Sequence, residues 1–489
     1  MDRQIRRLAV AMAVMFAILF AQVNYLQVFA ADDLAGNPAN FRIIIQEYKI
    51  DRGAILARDL HTELARSVPT KGRLKFLRLY PQGPLYADVT GYYSLVYGRS
   101  RIESSENTYL GAHASELLPS TIEDEILNRP KRGADVVTTI DPQLQQAASA
   151  ALSGRPGAAV AMDPRTGEVL AMVSNPSYDP TELSSHDPGA IRRAWKQLND
   201  DPSKPLLSNA TDQIYPPGST FKLIDTAAAL ENGYTPQSRL PNPSELTLPQ
   251  TTHKFHNFAG VTCPGGSSIT LAAALTVSCD ITFAELGLKL GAEVLSAEAE
   301  KFGFNQNIPF DVPLAEGRFP PASFFPDRLP LLAFSAIGQA DVAANPLQMA
   351  LVASAIANHG VEMRPQLVKE IRGPGGDVLR SFHPQPWGQP IRSDTAATMT
   401  QMMVDVVRSG TGTPAQIPGV DVAAKTGTAQ TPSGNPHVWF VAFAPAQNPE
   451  IAVAVVLLNG GGNGAEATGG TVAGPVAKAI IQAALGIGE

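Results

Sequence analysis

The chain has 489 residues, of which 44% are hydrophobic and 17% charged, a composition typical of a globular protein with two or three domains. Its 38 basic and 45 acidic residues give a net charge of -7, so it lacks the basic excess of nucleic-acid-binding proteins and we expect no nucleic-acid partner. Only two cysteines, Cys263 and Cys279, are present, which excludes a disulfide-rich scaffold and leaves at most one bridge. Zinc is a weak alternative because His253 and His256 lie nearby, but no CxxC or HExxH pair completes a site, so no metal is predicted.

The N-terminus predicts export. Three arginines within the first seven residues precede the uncharged segment 8–29, and acidic residues follow it. About twenty apolar residues span a bilayer as a helix, and the basic flank stays in the cytoplasm. Residues 1–31 are therefore predicted to be a cytoplasmic tail and single-pass anchor in the cell membrane, with the remaining chain on the extracytoplasmic side. A cleaved signal peptide is the alternative, because residues 8–21 fit its apolar core and residues 28–30 a cleavage pattern.

The next hundred residues contain no catalytic cluster. Residues 51–56 predict a turn into a short strand, and residues 85–97 are rich in strand-forming residues. Residues 134–140 predict a further strand, after which Asp141 is expected to cap a helix over residues 143–152. This change of pattern sets the main domain boundary.

The predicted boundary divides the exported part of the chain into a smaller α+β domain at residues 32–141 and a larger domain at residues 142–489. Predicted strands lie at both ends of the larger domain, at residues 158–162, 168–174, 420–429, 437–444 and 450–458. A final helix is predicted at residues 472–485, and the stretch between the strand groups is mostly helical. This order predicts a mixed α/β fold with an antiparallel sheet.

A serine and a lysine have the spacing of a nucleophile and its base. The run Tyr215-Pro216-Pro217-Gly218 cannot be helical throughout, so a helix is expected to begin at Ser219. Lys222 then lies on the same helix face, and its amine can take the hydroxyl proton if burial lowers its pKa. The alternative is that Ser219 only caps the helix and Lys222 is solvated.

Two further polar groups follow in chain order. Ser278 and Asp280 lie between the predicted helices 271–277 and 281–290, hence in an interhelical turn, although Asp280 could simply be an N-cap.

Lys425-Thr426-Gly427-Thr428 lies in a predicted strand, where a glycine indicates close approach of a ligand backbone. The lysine and the two hydroxyls could hold a substrate carboxylate, and the backbone N–H groups of Ser219 and Thr428 could form an oxyanion hole. A solvent-facing edge strand is the alternative.

These three motifs in this order resemble the penicilloyl serine transferases, whose pattern is SxxK, SxN or a variant, and KTG. Over almost the whole chain the sequence is similar to class B penicillin-binding proteins, and most like their actinobacterial members. Further shared segments are Arg52-Gly53, residues 133–141, 163–168, 215–218, 336–339, 346–350 and 439–442. The resemblance implies a five-stranded antiparallel sheet with a helical subdomain, preceded by a pedestal domain that does not bind penicillin and by one transmembrane helix.

The resemblance also implies a peptidoglycan D,D-transpeptidase in which Ser219 attacks the penultimate D-Ala carbonyl of a stem peptide, and which β-lactams acylate. Lys222 is then the base, Ser278 and Lys425 relay protons and position groups, and substrate carboxylate or β-lactam contacts come from Thr426, Gly427 and Thr428. No cofactor is implied. Family members often bind a polytopic glycosyltransferase and division or elongation proteins.

One departure from the family motifs, one candidate disulfide and two rival functions stay open. Asp280 replaces the commoner asparagine, and its charge could hold a motif lysine protonated. A Cys263–Cys279 bridge would brace the turn that carries Ser278. For a β-lactam hydrolase, no motif-matched group that activates water is present. The intact Ser219, Lys222 and Lys425 argue against a pure wall-synthesis scaffold, and a β-lactam sensor would usually need a transducing partner or several membrane spans, of which the sequence predicts one. The glycine-rich run at residues 460–465 is too close to the C-terminus for a dinucleotide-binding βαβ unit.

Overall fold

The computed structural model describes residues 2–29, 45–127, 129–252 and 254–487. His253, considered above as a zinc ligand, lies outside these ranges. Helix α1 (Asp2–Asn24) opens the chain and continues into a π-helical turn, Tyr25–Phe29. The helical span from Arg3 to Gln27 has a mean hydropathy of 1.9, and none of it is buried against the rest of the protein. By length and composition it can cross a membrane, as the sequence predicts.

A six-stranded sheet organises the part of the chain that follows. Its strand order is β15-β14-β6-β1-β2-β3, with β1 and β6 parallel and the other pairs antiparallel. The strands are β1 (Ile55–Leu56), β2 (Glu63–Pro69), β3 (Phe76–Leu79), β6 (Asp135–Thr138), β14 (Val368–Arg372) and β15 (Val378–Ser381). The last two come from far downstream, within the range predicted for the larger domain. The proposed boundary between residues 141 and 142 stays a prediction.

One local expectation is wrong. Residues 85–97, rich in strand formers, begin with helix α2 (Gly83–Thr90), and only Tyr93–Ser94 of this segment form a strand, β4, paired with β5 (Gly98–Arg99). Proline in the first turn suits a helix start. The helix buries Tyr86 and Val89 beside β2 and the strand Val169–Asn175, so tertiary packing overrides the local strand preference.

Four short helices precede the second sheet in the chain and a fifth, α7, follows its first two strands, whereas two strand pairs lie in the helical middle. The helices are α3 (Arg101–Ser105), α4 (Asn107–Leu110), α5 (Leu118–Ile126), α6 (Pro142–Leu152) and α7 (Pro188–Asp200). The strand pairs are β9 (Arg239–Pro241) with β12 (Ser268–Thr270), and β10 (Leu246–Thr247) with β11 (Lys254–Phe255). The predicted cap is confirmed, because the Asp141 carboxylate accepts hydrogen bonds from the first backbone N–H groups of α6.

The second sheet has five strands, all antiparallel, in the order β17-β18-β19-β7-β8, which confirms the predicted fold class. The strands are β7 (Gly157–Met162), β8 (Val169–Asn175), β17 (Ala423–Ala429), β18 (His437–Ala444) and β19 (Ile451–Leu457). Strand β7 from the start of the larger domain pairs with β19 from its end, so the two groups of strands form one sheet, as the sequence predicts.

Helices cover both faces of this sheet. Alternate residues of its strands contribute to two cores, one of which contains α13 and the other α6 and α15. The remaining elements are α8 (Lys222–Glu231), α9 (Leu271–Val277), α10 (Asp280–Leu290), α11 (Ala292–Lys301), α12 (Leu329–Ala336), α13 (Pro346–Ala357), α14 (Ser393–Ser409), α15 (Gly474–Ala484) and the strand pair β13 (Glu362–Met363) and β16 (Pro386–Gly388). The result is a three-layer α/β/α arrangement with a helical subdomain inserted between strands β8 and β17.

Candidate active site

The serine lies in a tight turn rather than in the α-helix itself. Ser219 is in a 3-10 turn, Gly218–Phe221, and α8 begins at Lys222. Gly218 has φ +53°, and a Cβ there would lie 2.9 Å from the Thr428 carbonyl oxygen. The turn is therefore wedged against β17, which holds the half-buried serine at the edge of the sheet.

Lys222 is fully buried, which excludes the solvated alternative. Its Nζ donates to Asp280 Oδ1 at 2.6 Å and to the Ser278 carbonyl oxygen at 2.8 Å, with a longer contact of 3.4 Å to Ser278 Oγ. Burial lowers the pKa of Lys222, and the charge of Asp280 acts in the opposite direction. Burial therefore favours the neutral amine of Lys222, whereas Asp280 favours its protonated form.

Ser278 and Asp280 occupy the turn between α9 and α10, as predicted. Ser278 adopts a left-handed conformation with φ 60°. The N-cap alternative for Asp280 is wrong, because Cys279 holds the cap position and Asp280 is the first residue of α10. The Asp280 carboxylate faces the cleft instead, where its Oδ2 accepts a hydrogen bond from the Phe258 backbone N–H at 2.9 Å.

Lys425 lies in β17, at the edge of the five-stranded sheet, yet its side chain is fully buried, unlike a solvent-facing edge lysine. Its Nζ donates to Ser278 Oγ at 2.8 Å and to the Thr426 carbonyl oxygen at 3.0 Å. Burial, and then the charge of Lys222, hold the pKa of Lys425 well below its usual value. A neutral amine at this position can accept a proton from the Ser278 hydroxyl.

The three motifs meet in one hydrogen-bonded series. Ser219 Oγ donates a hydrogen bond to Asp280 Oδ1 at 3.4 Å, and Asp280 Oδ1 also accepts one from Lys222 Nζ. Lys222 reaches Ser278, which in turn is bound by Lys425. Residues separated by more than two hundred positions thus form a continuous path from a hydroxyl to two buried amines. A nucleophile beside such groups can carry out acyl transfer.

The glycine of the strand motif packs against the serine turn. A Cβ on Gly427 would lie 2.7 Å from the Pro217 carbonyl oxygen and 3.0 Å from Trp439 Cβ. The protein's own serine turn therefore approaches the strand closely at Gly427, and the approach of a ligand backbone stays a prediction. Trp439 supports the same contact, since its indole N–H donates to the Pro216 carbonyl oxygen at 2.9 Å.

A cleft of about 890 Å³ is lined by the motif residues Ser219, Ser278, Asp280, Thr426 and Thr428. An apolar wall of the same cleft is formed by Phe255, Phe258, Val261, Leu331 and Phe334. Sequence reasoning missed this wall, for which the only signal was the aromatic residues in the irregular stretch around residues 254–261.

A disulfide fastens the apolar wall to the catalytic turn. The structure joins Cys263 to Cys279, the residue between Ser278 and Asp280. Asn257 adds a second tie, because its side-chain oxygen accepts a hydrogen bond from the Ile281 backbone N–H at 2.9 Å. The wall and the catalytic turn therefore form one braced unit.

Comparison with family models decides what this site belongs to. Residues 157–482 match the penicillin binding protein transpeptidase domain, a match that covers most of the chain and every motif residue above. The chain belongs to the penicillin-binding protein transpeptidase family. Residues 52–136 match a second model, described as the penicillin binding protein A dimerisation domain.

Relatives of this penicillin-binding protein extend over its full length. The peptidoglycan D,D-transpeptidase PbpA of Mycolicibacterium smegmatis is 43% identical, with 99% of each chain covered, and PbpA of Mycobacterium tuberculosis is 39% identical with the same coverage. The solved structure of penicillin-binding protein A from M. tuberculosis in its ceftriaxone acyl-enzyme complex matches with a TM-score of 0.86 at 39% identity. That match covers 90% of this chain and 100% of the other.

Proposed function

We propose that this protein is a peptidoglycan D,D-transpeptidase that cross-links stem peptides through an acyl-enzyme on Ser219 and is acylated at the same serine by β-lactams. The observation that carries the proposal is the buried series of contacts from Ser219 through Asp280 and Lys222 to Ser278 and Lys425. Full-length relatives named as peptidoglycan D,D-transpeptidases, and acyl-enzyme structures of one of them with β-lactams, support it.

In the proposed acylation, Ser219 Oγ attacks the penultimate D-Ala carbonyl while Lys222, in its neutral form, takes the hydroxyl proton. The C–N bond to the terminal D-Ala then breaks, and the leaving amine receives a proton through Ser278, which Lys425 holds at 2.8 Å. An acceptor amine of a neighbouring stem attacks the Ser219 ester, forms the new amide bond and gives up its proton to the same groups. The second half-reaction regenerates the serine.

The oxyanion that forms in each half-reaction is proposed to be stabilised by the backbone N–H groups of Ser219 and Thr428. The packing of the serine turn against β17 supports this, because Gly218 and Thr428 lie in direct contact. Thr426 and Thr428, which line the cleft, are proposed to hold the terminal carboxylate next to the buried Lys425, with Gly427 between them in the strand.

The anchor and the partners belong to the same proposal. The exposed apolar helix at the N-terminus supports attachment to the cell membrane through residues 8–29, with the catalytic domain on the extracytoplasmic side, where stem peptides and β-lactams are encountered. We propose further that the domain at residues 32–141 is a pedestal that contacts wall-synthesis proteins, such as a polytopic glycosyltransferase and division proteins. Fluorescent-penicillin pull-down with and without this domain would test that role.

Covalent labelling tests the nucleophile. Wild-type protein incubated with fluorescent penicillin should carry a stable label on the peptide that contains Ser219, and Ser219→Ala should carry none. Ser433→Ala, at an exposed serine in the turn before β18, is the matched control and should label as wild type. Label retained on Ser219→Ala contradicts the mechanism, and rapid release of the label from wild type indicates a β-lactam hydrolase instead.

A further inference from the structure

A third threonine, outside the three motifs, lies at the carboxylate side of the cleft. Thr411 follows α14, and its Oγ1 lies 2.7 Å from Oγ1 of Thr426 in the strand motif. Thr411, Thr426 and Thr428 all line the cleft beside Ser219. Nothing in the sequence predicted the contact between Thr411 and Thr426.

The backbone around Thr411 is held from two sides. Its N–H donates to the Thr276 carbonyl oxygen at 3.3 Å, two residues before Ser278. On the other side, a Cβ on Gly470 would lie 2.1 Å from the Thr411 carbonyl oxygen, so only a glycine permits this approach. Thr411 is therefore placed by packing between the catalytic turn and the segment that follows β19, although its side chain is open to the cleft.

The hydroxyl pair has a direct chemical consequence. A threonine hydroxyl has one proton to donate, and two lone pairs with which to accept. When Thr411 donates to Thr426 Oγ1, the Thr426 proton is free for an acceptor in the cleft, and the accepted hydrogen bond strengthens it as a donor. The Thr428 hydroxyl proton is likewise free for an acceptor in the cleft, because Thr428 Oγ1 accepts a hydrogen bond from the Gly469 backbone N–H at 3.3 Å.

We propose that Thr411 is a positioning residue for recognition of the donor's terminal carboxylate. It does not bind the carboxylate itself but orients the Thr426 hydroxyl as a hydrogen-bond donor toward it. The inference rests on the proposed transpeptidase function and adds a specificity determinant to it. Two oriented hydroxyl donors beside the buried Lys425 suit an anionic oxygen better than a neutral amide, which supplies its own N–H donors.

The test compares two acyl donors that differ only at the C-terminus: a stem peptide ending in D-Ala-D-Ala with a free carboxylate, and the same peptide as its C-terminal amide. We expect Thr411→Val to lower kcat/KM of the carboxylate donor about tenfold, mainly through KM, because the charge-assisted hydrogen bond from Thr426 to the carboxylate is then no longer oriented. The value for the amide donor should change less than twofold, roughly the limit of what such an assay resolves. Thr411→Ser should restore the selectivity for the carboxylate.

Thr413→Val is the matched control, since Thr413 is exposed on the same segment, outside the cleft, and should leave both donors unaffected. Equal losses with both donors, or no loss with the carboxylate donor, would overturn the inference while leaving Ser219 as the nucleophile. Failure of wild-type protein to react with either donor and with penicillin would remove the proposed function, and this inference with it.

Discussion

At the scale of single residues, Asp280 is the most informative position in the site. Its two carboxylate oxygens accept hydrogen bonds from Lys222, from Ser219 and from the Phe258 backbone N–H. An asparagine offers one acceptor oxygen and two donor hydrogens, so it cannot serve all three donors. Asp280 therefore connects the base, the nucleophile and the apolar wall, whereas the sequence indicated its charge and its place in a turn but none of these contacts.

The charge of Asp280 gives a pH prediction. A carboxylate beside Lys222 raises the pKa of that amine, so Asp280→Asn should lower the Lys222 pKa further. The base loses its proton at lower pH, and the acid limb of the rate of acylation by penicillin against pH should move to lower pH. Stopped-flow acylation between pH 5 and 9 measures the shift.

Asp394→Asn, at an exposed carboxylate near the start of α14, is the control and should leave the limb in place. An unmoved limb in Asp280→Asn, or one displaced to higher pH, would show that Asp280 does not set the protonation of the base.

At the scale of secondary-structure elements, the site depends on how closely the serine turn packs against β17. Both elements have a glycine at the contact, Gly218 with its positive φ and Gly427 opposite Pro217. The sequence indicates the importance of Gly427 but assigns the close approach to a ligand. Only the tertiary structure shows that two parts of the same chain meet there.

Gly427→Ala tests this contact. The added methyl would lie 2.7 Å from the Pro217 carbonyl oxygen, so the turn and the strand must separate. We expect a loss of acylation rate of about 100-fold from misplacement of Ser219, and a destabilisation of about 1–3 kcal/mol. Penicillin acylation kinetics and thermal unfolding measure the two effects.

Gly388→Ala in β16 is the matched control, because a Cβ there meets nothing within 4 Å. Acylation of Gly427→Ala at the wild-type rate would mean that the close packing of turn and strand is not needed to place the nucleophile.

The elements that the sequence predicts well have strong local signals. Asp141 followed by proline caps α6 as expected, and the hairpin β7–β8 lies within a residue or two of its predicted limits. Segments with mixed signals fail, as in α2, where strand-forming residues become helical because Tyr86 and Val89 pack into a core assembled from distant strands. The same holds for the site. Its three motifs can be recognised in the sequence, whereas the contact of Thr411, the apolar wall and the three hydrogen bonds of Asp280 are seen only in the folded structure.

At the scale of the whole molecule, the N-terminal helix gives a prediction about membrane attachment. The span from Arg3 to Gln27 is apolar and exposed along its length. We expect the full-length protein to be recovered with membranes, to be released by detergent, and to have the intact mass of the uncleaved chain. A truncation that begins at residue 30 should remain in the aqueous fraction and still bind penicillin. Recovery of the full-length gene product in the aqueous fraction, with a mass that lacks the first thirty or so residues, would establish a cleaved signal peptide instead.

The downstream hairpin β14–β15 has a consequence for biosynthesis. Strand β14 pairs with β6, joining Ile371 to Val136 across more than two hundred residues of sequence. At about 5–20 residues per second, β6 leaves the ribosome some tens of seconds before its neighbour is made. During that interval its hydrogen-bonding edge is open, a condition that favours wrong pairing between chains. The N-terminal region can therefore complete its sheet only after most of the catalytic domain has been synthesised, so the maturation of this sheet and that of the active site are coupled in time.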